Sequence, residues 1–311
     1  MRRWKEYSLK LTLAIALVGI ALPAAAIGPQ GKRLEIQYID AAKLPIIDGD
    51  LSEWAGMSAS YLDQSHFTST YGEIIGPVPV SDQKVEVWLG WNEQTNLIYL
   101  AARVTDDDFG TTTSSDAGMV WASDDMEVYI DADNSGGAYN ADNAQAQQYV
   151  LNPAGKQGLV LFPYGMSKPP KTQAAVKKSG NTYTYEMALP GWNAISESGS
   201  GRQSNFWNNK VIGLTIAFGD FKSAADADAA DAMFHAFNGL NGPVGAYGDA
   251  NQFTEFKLVG GPNVTSKPAN PRGLTVSKTK AGGRGKPVAV ESTSWGMIKN
   301  TAPGMEEEGE E

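Results

Sequence analysis

Eight short runs in which apolar and polar residues alternate, each followed by a cluster of turn formers, limit what this chain can fold into more than any other feature. "KVEVWLGW" (84–91) places Val85, Val87 and Leu89 on one side, and "NLIYLAARV" (96–104) does the same with Ile98, Leu100, Ala102 and Val104. "MEVYID" (126–131), "QYVLN" (148–152), "LVLFP" (159–163), "YTYEMAL" (183–189), "VIGLTIAF" (211–218) and "QFTEFKL" (252–258) complete the series. Side chains of a strand alternate with period two, so each run buries one face. The intervening "NEQTN", "NSGG", "NPAGK" and "KKSGN" supply the Asn and Gly that tight turns require. Many short strands with little helical patterning predict an all-β protein, an antiparallel β-sandwich of jelly-roll or immunoglobulin-like type with few short helices. "SAADADAADAM" (223–233) is the one helical candidate and reads equally as a loop insertion.

Composition narrows the chemistry. With no cysteine there is no disulfide framework and no thiolate chemistry, and two histidines, His66 and His235, cannot supply a zinc triad. No G-x-S-x-G motif is present. The formal charge is −10 over 311 residues, which disfavours nucleic acid and anionic membranes as partners.

The two ends differ from the middle. Arg2, Arg3 and Lys5, the apolar run "LTLAIALVGIAL" (11–22) and "AAA" (24–26) predict a signal peptide over 1–26, with export to the periplasm or the exterior. Its removal leaves a chain of −13. Beyond about residue 260 the sequence turns rich in Pro, Gly, Lys and Arg and closes on "MEEEGEE", which predicts a flexible tail, basic and then acidic, over 260–311. The folded domain is therefore expected over 27–259.

The stretch from 119 to 142, "MVWASDDMEVYIDADNSGGAYNAD", concentrates the chemistry. Alternation puts Met126, Val128 and Ile130 inward and Asp125, Glu127, Tyr129 and Asp131 on the opposite face. Those carboxylates read either as a solvated strand face or as acceptors for ligand hydroxyls. "DADNSGGAYNAD" approaches a calcium-loop pattern. Asp131, Asp133 and Ser135 offer oxygens at alternate positions, Gly136 permits the turn, and Asp142 stands where a closing carboxylate would. An acidic hairpin turn is the alternative. "TDDDFG" (105–110) is a second cation candidate.

The order of "LPIIDGDLSEWAG" (44–56), "VWLGWNEQTNLIYLAARVTDD" (87–107), "WASDDMEVYIDADNSGG" (121–137), "YTYEMALPGW" (183–192), "IGLTIAFGD" (212–220) and "FTEFKLV" (253–259) resembles carbohydrate-binding module family 9, within the DOMON-like β-sandwiches, over roughly residues 40–259. The resemblance implies a non-catalytic module that holds an oligo- or polysaccharide between two aromatic rings, with loops braced by calcium. It implies Trp121 as the first ring, Glu127, Gln148 and Asn152 as hydroxyl partners, and Tyr247 at the second ring position, where members of the family have Trp. Val150 stands where the resemblance implies Arg. Two other functions stay open. Asp125 and Glu127, about 7 Å apart along one strand face, could serve a hydrolase acting on O-glycosyl bonds. Met119, Met126, Met166, Met233 and His235 could supply haem ligands, as in DOMON-like relatives.

Overall fold

The computed structural model describes residues 33–153, 158–229, 234–240 and 245–263. The expected signal peptide and nearly all of the expected tail lie outside these residues. The strands are β1 (Arg33–Tyr38), β2 (Ser60–Asp63), β3 (Phe67–Gly72), β4 (Gln83–Asn92), β5 (Leu97–Asp106), β6 (Met126–Asp131), β7 (Gln147–Leu151), β8 (Leu159–Phe162), β9 (Gln173–Ser179) and β10 (Thr182–Leu189). They continue with β11 (Trp192–Ile195), β12 (Gly201–Gln203), β13 (Val211–Asp220), β14 (Ala236–Leu240) and β15 (Thr254–Val259). Among the described residues helix is confined to short segments, the longest of 6 residues (Leu51–Gly56), and α1 (Ala224–Ala227) takes up the start of the 223–233 candidate.

The hydrogen-bonded path runs β8-β7-β6-β13-β15-β1-β4-β5-β10-β9, with β14 joined to β13 and β3, and β2 to β4. Strand β1 is the pivot. Its length runs parallel to β15, and its end, at Gln37 and Tyr38, moves across to pair in parallel with Gly90 and Trp91 of β4. Every other ladder between the described strands is antiparallel.

The two halves of this path face each other across one core. Val85, Val87 and Leu89 of β4, Leu100 and Ala102 of β5, and Tyr185 and Met187 of β10 pack in the same cluster as Met126, Val128 and Ile130 of β6 and Leu214 and Ile216 of β13. These are the inward faces that the period-two pattern predicts, and their burial is the main stabilising term of the sandwich. The second face of β4 and β5 is covered as well. Leu51 and Trp54 of the "DGDLSEW" segment pack on Tyr99 and Ala101. That segment is pinned by Glu186 of β10, which accepts from Trp54 Nε1 at 2.7 Å, from the Gly49 amide at 2.7 Å and from the Asp48 amide at 3.0 Å. Leu214 is fully buried where β6 and β13 meet the facing sheet, so Leu214→Ala is expected to lower stability by about 2–5 kcal/mol in denaturant titration.

Candidate functional site

The acidic strand has no solvated side. Met126, Val128 and Ile130 lie in the sandwich core, yet Asp125, Glu127, Tyr129 and Asp131 on the other face are buried too. This excludes the solvated-strand alternative, and the reason is tertiary. Tyr139 and Ala146 on one side, and Ala246, Ala250 and Phe253 on the other, fold over Tyr129 as a second apolar layer. The 110–123 loop and the Phe221, Phe234 and Phe237 rings cover the adjoining stretch.

Register defines the floor beneath that cover. Val160 of β8, Val150 of β7, Glu127 of β6 and Ala217 of β13 stand in one cross-strand row. The neighbouring row is Phe162, Gln148, Tyr129 and Thr215. Glu127 Oε2 accepts from the Tyr129 hydroxyl in a short contact and from Gln148 Nε2 at 3.1 Å, while Gln148 also reaches the Tyr129 oxygen at 3.2 Å. Glu127, Gln148 and Tyr129 are thus one hydrogen-bonded group.

Trp121 stands at the edge of this floor. It is half-buried, rests on the Val120–Val150–Val160 cluster, donates from Nε1 to the Gly118 carbonyl at 2.7 Å, and lies 5.3 Å from Phe234 between ring centroids. Asn152 is buried and holds the Trp121 loop: its Nδ2 donates to Ser123 Oγ at 2.7 Å and its Oδ1 accepts from Thr111 Oγ1 at 3.2 Å. The structure therefore gives Asn152 a positioning contact. Tyr247 is 73% exposed on the turn at the other end of the floor. That turn is fastened to the acidic loop, since the Tyr139 hydroxyl donates to the Ala246 carbonyl at 2.7 Å and the Ala250 amide to the Gly137 carbonyl at 2.9 Å. Among the described residues Tyr247 makes no ring contact, with Trp121 or with any other aromatic.

The proposed calcium-loop residues are brought together only in part. Asp131 Oδ2 accepts from the Gly136 amide at 2.7 Å, while its buried Oδ1 has no partner, which suits a cation. Burial first, and the charge on Asp133 beside it as well, lift the Asp131 carboxyl to about 6. Ser135 turns its hydroxyl to Gln145. Asp142 is exposed in a turn of its own, its amide bonded to Asn140 Oδ1 at 2.8 Å, and does not close the loop.

Sequence reasoning did not single out Asp124 or Asp220. Asp124 Oδ1 accepts from the Phe221 amide at 2.7 Å and its Oδ2 from the Gly110 amide at 2.8 Å, fixing the start of the Trp121 loop. A doubled Asp ahead of a buried strand was the available signal. Desolvation lifts the Asp124 carboxyl to about 9 and the Glu127 carboxyl to about 7. Asp125, buried beside Glu127, is also held well above the usual carboxylate range, first by burial and then by the Glu127 charge. A carboxyl whose pKa is raised on folding binds more protons in the native state, so stability declines as pH rises between the unfolded and folded values. With divalent cations chelated, the melting midpoint is therefore expected to fall from pH 5 to pH 9. A midpoint that rises over this range would show these groups ionised in the native state.

A search of curated proteins gave no match. A carbohydrate-binding module family 9 structure from Caldicellulosiruptor kristjanssonii in complex with cellotriose aligns with 77% of this chain and 100% of its own, at TM-score 0.52 and 16% identity. The same kind of module from that organism in complex with glucose aligns with 76% of this chain at TM-score 0.51 and 17% identity. At these identities the likeness speaks for the fold, the all-β sandwich that the strand pattern predicts. A family model described as "Carbohydrate family 9 binding domain-like" matches residues 77–261, more than half of the sequence. The chain belongs to the carbohydrate family 9 binding domain-like family.

Proposed function

We propose that this chain is an exported, non-catalytic saccharide-binding module whose ligand lies at the Trp121 edge of the β8-β7-β6-β13 floor, with Trp121 as its stacking platform. The observation that carries the reading is one juxtaposition: the Trp121 ring rests on Val150, and Val150 is the cross-strand neighbour of Glu127. An indole presents a flat apolar surface to the C–H groups of a sugar ring, and a carboxylate accepts its hydroxyls in charge-assisted bonds. Glu127, Gln148 and Tyr129 form the polar end of such a site, Asn152 holds the loop that carries the platform, and Tyr247 is the exposed ring opposite. Cellotriose and glucose in the similar modules make cello-oligosaccharides the first probes. Export is supported by the sequence of residues 1–26.

Trp121→Ala is expected to remove stacking worth about 1–3 kcal/mol, by analogy with other ring-stacking contacts, so affinity for cello-oligosaccharides should fall ~5–150-fold in isothermal titration. A folded variant that binds as tightly as the parent would place the site elsewhere.

We further propose that calcium braces the turn at Asp131 and Asp133. The unpartnered Asp131 Oδ1 and the neighbouring Asp133 carboxylate support this. With few charged donors the affinity should be weak, on the order of 10⁻⁴–10⁻³ M. Millimolar calcium is expected to raise the melting midpoint over chelator by mass action, and Asp131→Asn with Asp133→Asn to abolish the rise. An equal rise in that double variant would assign the ion to other ligands.

A further inference from the structure

A second group of ionisable side chains lies beside the saccharide floor, where the ends of three strands meet. Asp82 precedes β4, Asp220 ends β13 and His235 precedes β14. The ligand atoms of the three lie within 4.8 Å of one another. The backbone keys them together: the His235 amide donates to the Asp220 carbonyl at 2.8 Å, and the His235 carbonyl accepts from the Glu73 amide at 2.9 Å.

We propose that Asp82, Asp220 and His235 bind a divalent transition-metal ion of the zinc type. The inference goes beyond the saccharide reading and does not depend on it. Three observations carry it. The first is an orphaned carboxylate. Asp220 is 2% exposed and its Oδ2 is buried with no hydrogen-bond partner, as is Oδ2 of Asp82. Buried acceptors of this kind are otherwise satisfied, because leaving them bare forfeits their hydration with nothing in return, the more so when they are charged. The crowding at Asp220 is acidic, since Asp106, Asp82, Asp108 and Asp107 each add a repulsive charge there. A cation resolves both conditions.

The second is the spacing of the donors. His235 Nε2 stands 3.2 Å from Asp82 Oδ1. Ligands about 2.0–2.1 Å from a tetrahedral zinc ion are separated by about 3.3–3.4 Å, so the pair already spans one edge of such a site.

The third is the far side of the imidazole. His235 Nδ1 lies 3.3 Å from Glu73 Oε2, which is itself held by Lys222 Nζ at 2.9 Å. A ligating histidine commonly gives its other ring N–H to a carboxylate, which fixes the ring and its tautomer. Glu73 is in that place.

The donor set also selects the ion. One imidazole with two carboxylates suits zinc and its first-row neighbours, whereas calcium takes six to eight oxygens and has no use for the ring nitrogen. Two histidines and no cysteine rule out a zinc triad built from those residue types alone, but the fold assembles a mixed set from positions 82, 220 and 235, which no local motif announces.

The test is isothermal titration of the chelator-treated full chain with zinc chloride, followed by melting curves with and without the metal. One zinc per chain and a raised midpoint are expected. His235→Gln and Asp220→Asn should each weaken zinc binding by tenfold or more, and Glu73→Gln by about 10–100-fold as an outer partner of the ligand. Far-UV circular dichroism establishes that each variant is folded. His235→Gln, at a partly exposed side chain, keeps the test open should Asp220→Asn unfold. The Asp131→Asn, Asp133→Asn double variant should bind zinc as the parent does, and the His235 variant should keep its affinity for cello-oligosaccharides. The proposal is overturned if the parent binds no stoichiometric zinc. It is equally overturned if folded His235→Gln binds zinc as tightly as the parent, or if zinc binding is lost in the Asp131, Asp133 double variant.

Discussion

Burial of both faces of β6 is the constraint on which the rest of the structure depends. One face contributes Met126, Val128 and Ile130 to the sandwich core, and the other carries carboxylates that must find donors once water is gone. Each finds them on a different element. Asp124 takes the amides of Gly110 and Phe221, Asp125 that of Gly219, Glu127 the side chains of Tyr129 and Gln148, and Asp131 the amide of Gly136. The loop before the strand, the end of β13, the side chain at the centre of β7 and the turn after β6 are placed by these bonds. The acidic strand acts as a template on which the surrounding loops are assembled. Gly219 shows how close the fit is, because a Cβ there would lie 2.4 Å from the Ser123 carbonyl oxygen.

That template holds Glu127 in place without an opposite charge beside it. The donors to Glu127 are neutral, and among the described residues it forms no ion pair, so its charge is offset by hydrogen bonds. Val150 stands in the cross-strand place where the family resemblance implies an arginine, and it joins Val120 and Val160 under Trp121. The substitution turns that part of the floor apolar and widens the surface on which the indole sits. The same change leaves Glu127 with a carboxyl lifted to about 7 by burial. A charged partner would have favoured the ionised form. Polarity at the site therefore depends on the Tyr129–Gln148 pair.

Much of the fold is legible in the sequence because period-two alternation reports a physical fact, that one face of each strand meets the core. Strands β4, β5, β6, β10 and β13 follow it to within two residues at their ends. The pattern fails where burial is not one-sided or not apolar. β9, "QAAVKKS", and β14, "AFNGL", have no alternating stripe and are defined by their partners β10, β13 and β3. The second face of β6 was illegible for a related reason. Its cover comes from Tyr139 in the following loop and from Phe234 and Phe253, remote in sequence, so local pattern could not separate a wet face from a roofed one. Trp121, Glu127 and Gln148 do meet on one floor, whereas Asp142 departs from its proposed partners because Asn140 folds it into a separate turn. The Asp82–Asp220–His235 group depends entirely on three strand ends converging.

A crystal structure of the chain soaked with a cello-oligosaccharide tests the central claim most directly. The account requires a pyranose ring stacked on Trp121, with a hydroxyl within hydrogen-bond distance of Glu127 or Gln148 and Tyr247 on the opposite side. A saccharide bound instead on another face, such as that of exposed Tyr61 and half-buried Trp88 of β2 and β4, with the Trp121 floor unchanged, would contradict it.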